Sequence, residues 1–145
     1  MPATWVERLR AADLIIHAGD FVGLSFLEEL RALGPPVEAV HGNMDDVALR
    51  DRLPSTCVLD AGGVAIGMTH DAGPRRGREE RLAAKFPGCA AVVYGHTPEP
   101  QVARAGETWI LNPGSPTERR RAPSHTMLVL EVAPGQISPE LIPLS

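Results

Sequence analysis

The sequence lacks the features that mark several specialised classes of protein. It has two cysteines, Cys57 and Cys89, in 145 residues, so a disulfide framework like that of small secreted domains is not expected. The formal net charge is -4, which argues against nucleic acid or an anionic membrane surface as the main partner. No apolar run approaches the roughly 20 residues that a membrane-spanning helix needs, and the N-terminal residues lack the order of a signal peptide. We therefore expect a cytoplasmic protein with reduced thiols.

What the sequence does contain fits one globular domain over residues 1–145. Hydrophobic residues make up 43% and charged residues 22% of the chain, as in ordinary soluble domains, and no repeat or linker divides it. Strands are predicted at 14–19, 37–42, 56–60, 64–68, 90–94, 101–105, 108–111 and 126–132, whereas Ser138 and Pro139 weaken any later strand. Helices are predicted near the N terminus, at 25–33 and at 78–86, and a turn or short helix is predicted before Pro54. This pattern indicates an α/β fold.

Four of the apolar runs end in a residue that can bind a metal ion. The runs 14–19, 37–42, 64–69 and 90–95 are followed by Asp20, Asn43, His70 and His96. In open α/β sheets ligands bind beyond the carboxyl ends of the strands, so we expect these side chains at one rim. Each of them alone would be an ordinary turn or core residue. Together, a carboxylate, an amide and two imidazoles suit manganese, iron, zinc or magnesium better than Cu(I) or a thiolate zinc site.

The segments around these residues resemble the ordered motifs of calcineurin-like metallophosphoesterases, in particular the small prokaryotic phosphodiesterases. The matching segments are IHAGD at 16–20, VHGNMD at 40–45, MTHD at 68–71, YGHT at 94–97 and NPGSP at 112–116, followed by Arg119. In the last segment, Asn112 and Ser115 are expected to shape a turn, with a substrate contact as the alternative role. The resemblance implies a layered sheet sandwich flanked by helices. It also implies hydrolysis of a phosphodiester or phosphomonoester by a metal-activated water.

The resemblance also implies roles for the four strand-end residues. Asp20 would bridge two divalent metals, and Asn43, His70 and His96 would complete the shell of the second metal. Manganese is the expected cofactor, with iron, zinc, magnesium or nickel as alternatives. Two such cations lie ~3.5–4 Å apart and generate a nucleophile from water at neutral pH. The catalytic acid is left unassigned.

The substrate is expected to be a small phosphoester, with nucleic acid unlikely except as a nucleotide-type substrate. Arg119, which follows the last segment, is the first candidate for a phosphate contact. His41 is the second, with a structural hydrogen bond as its alternative role. Arg75, Arg76 and Arg78 follow the third metal-binding segment and could hold an anionic substrate or form a solvated charge cluster.

The sequence departs from the family pattern at three points. The family opens with a strand that ends in an Asp-x-His segment, and this sequence has none, so the opening strand is expected to be missing. Pro98 stands where the family has a further histidine ligand, and proline cannot coordinate. Met44 stands where larger relatives have a histidine that protonates the leaving group, which a thioether cannot do. The first two losses both leave the first metal site incomplete.

These departures leave two accounts open. In one, the sequence is a truncated form of a longer phosphodiesterase. In the other, the first site has decayed, and the protein works with one metal or is a catalytically silent metal- or phosphate-binding module. In both accounts a missing strand exposes a sheet edge, which a partner chain could cover. We therefore predict a homo-oligomer.

Overall fold

The structure of the protein is a computed structural model, and it describes residues 3–18, 24–42, 47–97, 99–114, 126–133 and 136–143. The helices are α1 (Ala3–Ala11), α2 (Leu24–Arg31), α3 (Val47–Arg52) and α4 (Arg78–Lys85). The strands are β1 (Ile15–His17), β2 (Val37–Ala39), β3 (Thr56–Ala61), β4 (Val64–Thr69), β5 (Ala91–Tyr94), β6 (Gln101–Ala105), β7 (Thr108–Asn112), β8 (Thr126–Ala133) and β9 (Gln136–Pro143). This order of elements confirms the mixed α/β fold predicted from the sequence.

The largest sheet has five strands in the order β3-β4-β5-β7-β6. Its three middle strands run parallel, and β3 and β6 pair antiparallel at the two edges. All four residues of β5 are buried, because both faces of the sheet are covered, which explains the uninterrupted apolar run. The carboxyl ends of the three parallel strands therefore meet along one edge of the fold.

Two smaller sheets pack on the inner face of the five-stranded sheet. Strands β1 and β2 pair in parallel, with His17 opposite Ala39, and β8 and β9 form an antiparallel hairpin. One hydrophobic cluster joins Val40, which follows β2, to Met68 of β4 and Ile137 of β9. The two layers of strands with this cluster between them form the predicted sheet sandwich.

Helix α4 covers the outer face of the five-stranded sheet. Its Leu82, together with Phe86 just after the helix, packs against Val92 and Ile110. Glycine is required at position 67, because a Cβ there would lie 2.5 Å from the ring of Phe86. Helices therefore flank the sandwich, as predicted.

The last strand corrects one sequence prediction. Ser138 and Pro139 were expected to weaken any strand near the C terminus, but β9 runs without a break from 136 to 143. Proline is tolerated in a strand where its missing N–H faces away from the ladder. A two-stranded hairpin offers such positions, because each of its strands bonds on one side only.

The pairing of strand β1 bears on the predicted homo-oligomer. Within the described ranges it pairs with β2 and with no other strand. An open edge of this kind is what the sequence led us to expect, and the homo-oligomer inferred from it stays a prediction. Of the helices that the structure describes, none is long and apolar enough to cross a membrane.

Candidate functional site

His70 and His96 meet at the carboxyl ends of β4 and β5. The two strands are parallel neighbours, with Thr69 opposite Tyr94, and each is followed by one of the histidines. The ring centroids are 5.3 Å apart, and the ring planes are nearly perpendicular. His70 is 3% exposed, whereas His96 is exposed. One buried and one accessible imidazole side by side can offer ring nitrogens to the same ligand.

The ring of His70 is oriented by a buried hydrogen bond. Its Nδ1 donates to the carbonyl oxygen of Ala18 at 2.7 Å. Because a carbonyl only accepts, the proton lies on Nδ1, and Nε2 carries the lone pair of the neutral ring. Metal-binding histidines are commonly held in this way, with one nitrogen donating to the protein and the other facing the metal.

Gly95 allows the two histidine-bearing segments to approach each other. Its N–H donates to the carbonyl of His70 at 3.0 Å. A Cβ at this position would lie 3.0 Å from the carbonyl oxygen of Ala18 and 3.3 Å from Nδ1 of His70. Only glycine leaves the Ala18–His70 hydrogen bond undisturbed at these distances.

His96 occupies a strained backbone turn. It has a φ of 73° and is the one non-glycine residue with a positive φ in the described part of the chain. The N–H of Thr97 donates to the carbonyl of Gly95 at 2.9 Å, so His96 is the central residue of a three-residue γ-turn. A left-handed φ costs a residue with a side chain about 1–2 kcal/mol. Strain of this kind clusters at functional sites.

The side chain of Asn112 contacts the segment that carries His96. Asn112 is fully buried, and its Nδ2 donates to the carbonyl oxygen of Thr97 at 3.0 Å. Its Oδ1 accepts the N–H of Gly114 at 2.9 Å. The second bond confirms the turn-shaping role predicted for Asn112, whereas Ser115 lies outside the described residues.

The loop between His70 and α4 is held by two arginines of the helix. Arg78 stacks 5.1 Å from the centroid of the Tyr94 ring, and it donates to the Tyr94 hydroxyl at 3.3 Å and to the carbonyl of Gly73 at 3.1 Å. Arg81 donates to three loop carbonyls, those of Ala72, Pro74 and Arg76. The guanidinium of Arg78 is thus engaged within the fold, which argues against a substrate contact there. Arg75 and Arg76 are exposed.

A polar chain continues from Tyr94 to the first turn of α4. The Tyr94 hydroxyl donates to Oε1 of Gln101, and Nε2 of Gln101 donates to Oε1 of Glu79 at 2.8 Å. Hydrogen bonds from the backbone and from Gln101, with a smaller contribution from nearby arginines, lower the pKa of the Glu79 carboxyl. The chain ties α4 to the start of β6.

Neither cysteine resembles a nucleophile. Burial raises the pKa of the Cys57 and Cys89 thiols, which favours the unreactive protonated form. Both side chains belong to the hydrophobic clusters of the sandwich. This agrees with the absence of a disulfide among the described residues, which include both cysteines.

Three of the six predicted site residues are described: His41, His70 and His96. Asp20, Asn43 and Arg119 lie outside the described residues, as do Met44 and Pro98. Within the parts of the chain that the structure does describe, no three His, Cys, Asp or Glu side chains are close enough to hold a metal ion. The described site therefore consists of two imidazoles, and the full ligand set stays a prediction.

The segments that lead to Asp20 and Asn43 run side by side. The N–H of Val40 donates to the carbonyl of His17 at 3.2 Å, which extends the pairing of β1 with β2 toward their carboxyl ends. Ala18, two residues before Asp20, contacts His70 directly. This arrangement brings the first of the two segments to the histidine pair.

His41 makes local contacts. Its Nδ1 lies 3.4 Å from the carbonyl oxygen of Gly42, and its backbone N–H donates to the carbonyl of Pro54 at 3.0 Å. These contacts fit the alternative, structural role considered for this residue. The phosphate contact expected of His41 stays a prediction.

Arg81, Tyr94 and Gly95 have structural roles that were not predicted from the sequence. The spacing of Arg78 and Arg81 could have indicated a shared role in holding the loop, because residues three positions apart lie on the same face of a helix. Tyr94 contacts Arg78, 16 positions away, and Gly95 contacts Ala18 and His70, which are further away still, and no local pattern indicates such partners.

Comparison with known proteins finds relatives that match nearly the whole chain. The model of the calcineurin-like phosphoesterase superfamily domain matches residues 1–135. A probable metallophosphoesterase of Methanocaldococcus jannaschii is 33% identical over 147 residues, which cover 99% of this chain and 73% of that protein. A second, from Methanothermobacter thermautotrophicus, is 31% identical over 144 residues, which cover 98% of this chain and 82% of that protein.

Solved structures share the fold. A protein of Thermotoga maritima with a solution NMR structure is 32% identical, covering 99% of this chain and 88% of that one with a TM-score of 0.74. Vps29 of Entamoeba histolytica, solved in complex with Zn²⁺, is 22% identical, covering 99% and 89% with a TM-score of 0.78. An archaeal phosphodiesterase is also 22% identical, covering 96% and 90% with a TM-score of 0.74. The last two likenesses support the layered α/β architecture alone.

Proposed function

Because the chain belongs to the calcineurin-like phosphoesterase superfamily, we propose that it is a metal-dependent phosphoesterase. It hydrolyses a phosphodiester or a phosphomonoester with a metal-activated water. The observation that carries the proposal is the pairing of His70 with His96, in which Nδ1 of His70 is committed to the carbonyl of Ala18. We further propose that residues 1–145 form one domain, that the substrate is a small phosphoester and that the protein acts in the cytoplasm.

The two described histidines, His70 and His96, fit a divalent cation, because each can supply a ring nitrogen as a ligand. The family depends on divalent metals, and the hydrogen bond of His70 leaves Nε2 as the nitrogen with a lone pair for a ligand. In the proposal, His70 and His96 supply nitrogen ligands, and Asp20 and Asn43 supply oxygen ligands. This mixed set favours manganese first, with iron, zinc, magnesium or nickel as alternatives.

The residues of the chain have separate tasks in the proposed reaction. A bound divalent cation supplies Lewis acidity toward a phosphoryl oxygen and lowers the pKa of a water molecule. The bond to Ala18 keeps His70 in one orientation and one tautomer, so no reorganisation is needed during the reaction. The exposure of His96 leaves the site open to substrate. Arg119 is proposed to hold the phosphate by forked hydrogen bonds, with the exposed Arg75 and Arg76 as secondary candidates.

Hydrolysis of bis-p-nitrophenyl phosphate with added Mn²⁺ tests the proposal. We expect the wild-type chain to turn over the substrate. His96→Ala and His70→Ala should each lose at least ~10-fold in rate, because replacing even the residues that orient a metal ligand typically costs 10–100-fold. Arg104→Gln is the matched control, because Arg104 stacks on Trp109 at 4.5 Å, and Trp109 lies beside the amino end of β5. Full activity in His96→Ala would show that the proposed site is not the site of hydrolysis.

A metal-binding module without turnover is the second candidate function. It is favoured by Pro98 and Met44, which stand where the family has a metal ligand and where larger relatives have a proton donor. Calorimetric titration with Mn²⁺, combined with the hydrolysis assay, separates the two functions. Binding that depends on His96, together with no hydrolysis of diester or monoester substrates, would establish the silent module.

The open edge of β1 supports a proposed homo-oligomer. An unpaired strand edge is a template for pairing with another chain, and β1 bonds to β2 alone among the described strands. Light scattering coupled to size-exclusion chromatography tests this directly. A monomeric mass at all protein concentrations would rule out the assembly.

A further inference from the structure

We propose that Asn112 is a positioning residue that holds the γ-turn of His96 in its left-handed conformation. The inference rests on the proposed function where it concerns metal binding. Its central claim, that the Asn112 side chain stabilises the strained turn, concerns the chain alone. That claim can be tested in the protein without metal.

The geometry around Asn112 assigns both ends of its amide group. Nδ2 lies 3.0 Å from the carbonyl oxygen of Thr97, which can only accept. Oδ1 lies 2.9 Å from the N–H of Gly114, which can only donate. The Asn112 side chain has no exposed surface, whereas its partners Thr97 and Gly114 are partly buried. Losing one of these bonds would leave a buried polar group unsatisfied.

The turn at His96 needs support from outside itself. A non-glycine residue at a φ of 73° is strained, and such strain persists only where the surrounding structure determines the conformation. The internal bond from Thr97 to Gly95 closes the turn but is available to any residue at the centre. The bond from Asn112 binds the carbonyl that directly follows the turn and ties it to the end of β7. The turn is thus anchored to another strand by a residue 15 positions away in the chain.

The consequence for the site is the orientation of the His96 ring. The ring lies 5.3 Å from that of His70, which is itself held by Ala18. With Asn112 intact, each histidine is held by a hydrogen bond to a distant part of the chain, His70 through its own ring and His96 through the carbonyl of the adjacent Thr97. Residues that orient metal ligands in this way typically change metal affinity 10–100-fold when they are replaced.

Two variants separate the support of the His96 turn by Asn112 from the formation of the turn at Gly114. Asn112→Asp keeps an acceptor for the Gly114 N–H but removes the donor to Thr97, and Asn112→Leu removes both bonds. We expect calorimetric titration of the full chain with Mn²⁺ to show at least a ~10-fold loss of affinity in both variants. Wild-type affinity in Asn112→Asp with a loss in Asn112→Leu alone would overturn the inference, since only the Gly114 turn would then matter.

A double-mutant cycle in the metal-free protein tests the same inference without metal. His96→Gly should lower the unfolding equilibrium constant of the wild-type chain about fivefold, because glycine relieves the strain of the left-handed backbone. In the Asn112→Leu variant the turn is no longer held. The stabilisation by His96→Gly, measured as the change in the unfolding equilibrium constant, should therefore be at least threefold smaller than in the wild type. Additive effects of the two substitutions would overturn the positioning role.

The titration and the cycle together distinguish a failure of the inference from a failure of the proposed function. If the wild-type chain binds no Mn²⁺, the proposed function fails, and the unfolding cycle alone decides on Asn112. If the wild-type chain binds Mn²⁺ and Asn112→Asp binds it equally well, the metal binding that the proposed function requires stands and the positioning role is wrong. Asn112→Leu serves as the second variant if the buried carboxylate of Asn112→Asp prevents folding.

Discussion

The Nδ1 atom of His70 donates to the carbonyl oxygen of Ala18 across 52 positions of the chain. Ala18 directly follows β1 and His70 directly follows β4, so this bond joins two strands that belong to separate sheets. Both residues are buried, and a buried bond of this kind is electrostatically stronger than one in water. The candidate site therefore lies where the two layers of the sandwich are connected.

His70 should contribute to stability and His96 should not. We expect His70→Ala to lower the free energy of unfolding by about 2–4 kcal/mol, because it leaves a cavity and removes the partner of a buried carbonyl. His96→Ala should change it by less than about 1 kcal/mol, since the ring is exposed. Urea denaturation of the metal-free proteins measures both. Equal losses in the two variants would contradict this assignment.

Gly95→Ala should disturb the site through crowding. The added Cβ would lie 3.0 Å from the carbonyl oxygen of Ala18, and overpacking of this kind costs about 1–3 kcal/mol. We expect a loss of stability together with weaker Mn²⁺ binding, because the crowded bond orients His70. Gly67→Ala is the matched control, since its Cβ would meet Phe86 on the far face of the sheet. It should cost stability without changing Mn²⁺ affinity, and equal effects on binding would refute the local explanation.

Arg81→Gln should loosen the loop that follows His70. Arg81 donates to the carbonyls of Ala72 and Pro74 at 2.6 and 2.5 Å, and glutamine is too short to replace both bonds. We expect trypsin to cleave after Arg75 or Arg76 at least ~5-fold faster, as about 1 kcal/mol of lost loop stability implies. In Arg104→Gln, at the other end of the sheet, the cleavage rate in this loop should stay at the wild-type value. An unchanged rate in Arg81→Gln would show that the loop is held by other contacts.

Glu79 should make stability depend on pH in the acid range. Hydrogen bonds from the backbone and Gln101 lower the pKa of its carboxyl in the folded state, so its contribution is present above the unfolded pKa of about 4.3. The contribution is lost as the pH falls through the lowered folded value. Glu79→Gln should therefore be less stable than the wild type at pH 7, by under about 1 kcal/mol for this partly exposed group.

Urea denaturation between pH 3 and 7 checks the Glu79 prediction. The stability difference between the two proteins should narrow as the pH falls below about 4.3. A difference that stays constant over the whole range would show that the ionised carboxyl is not its cause.

The sequence predicted the fold best where one physical signal dominated. The run 90–94 became β5, buried on both faces, and the segment 78–86 became α4 within one residue. The prediction for β9 was wrong because it weighed Pro139 by itself. The pairing of Leu130 with Pro139 in the hairpin is a tertiary contact, and a single-strand pattern does not contain it.

The candidate site was predictable only in part. Strand ends in one sheet meet at one rim, and this rule correctly brought His70 and His96 together. The left-handed φ of His96 and the bond from Asn112 to Thr97 follow from contacts across strands. Residue types and their spacing do not specify such contacts.

At position 96, selection for stability and selection for function favour different residues. Glycine is the residue that its φ of 73° favours, so random drift under selection for a stable fold alone would replace this histidine. A library selected only for heat resistance should enrich glycine here, whereas selection for a working site should retain histidine despite its cost. The residue found at this position in descendants of such libraries would thus record which pressure had acted on them.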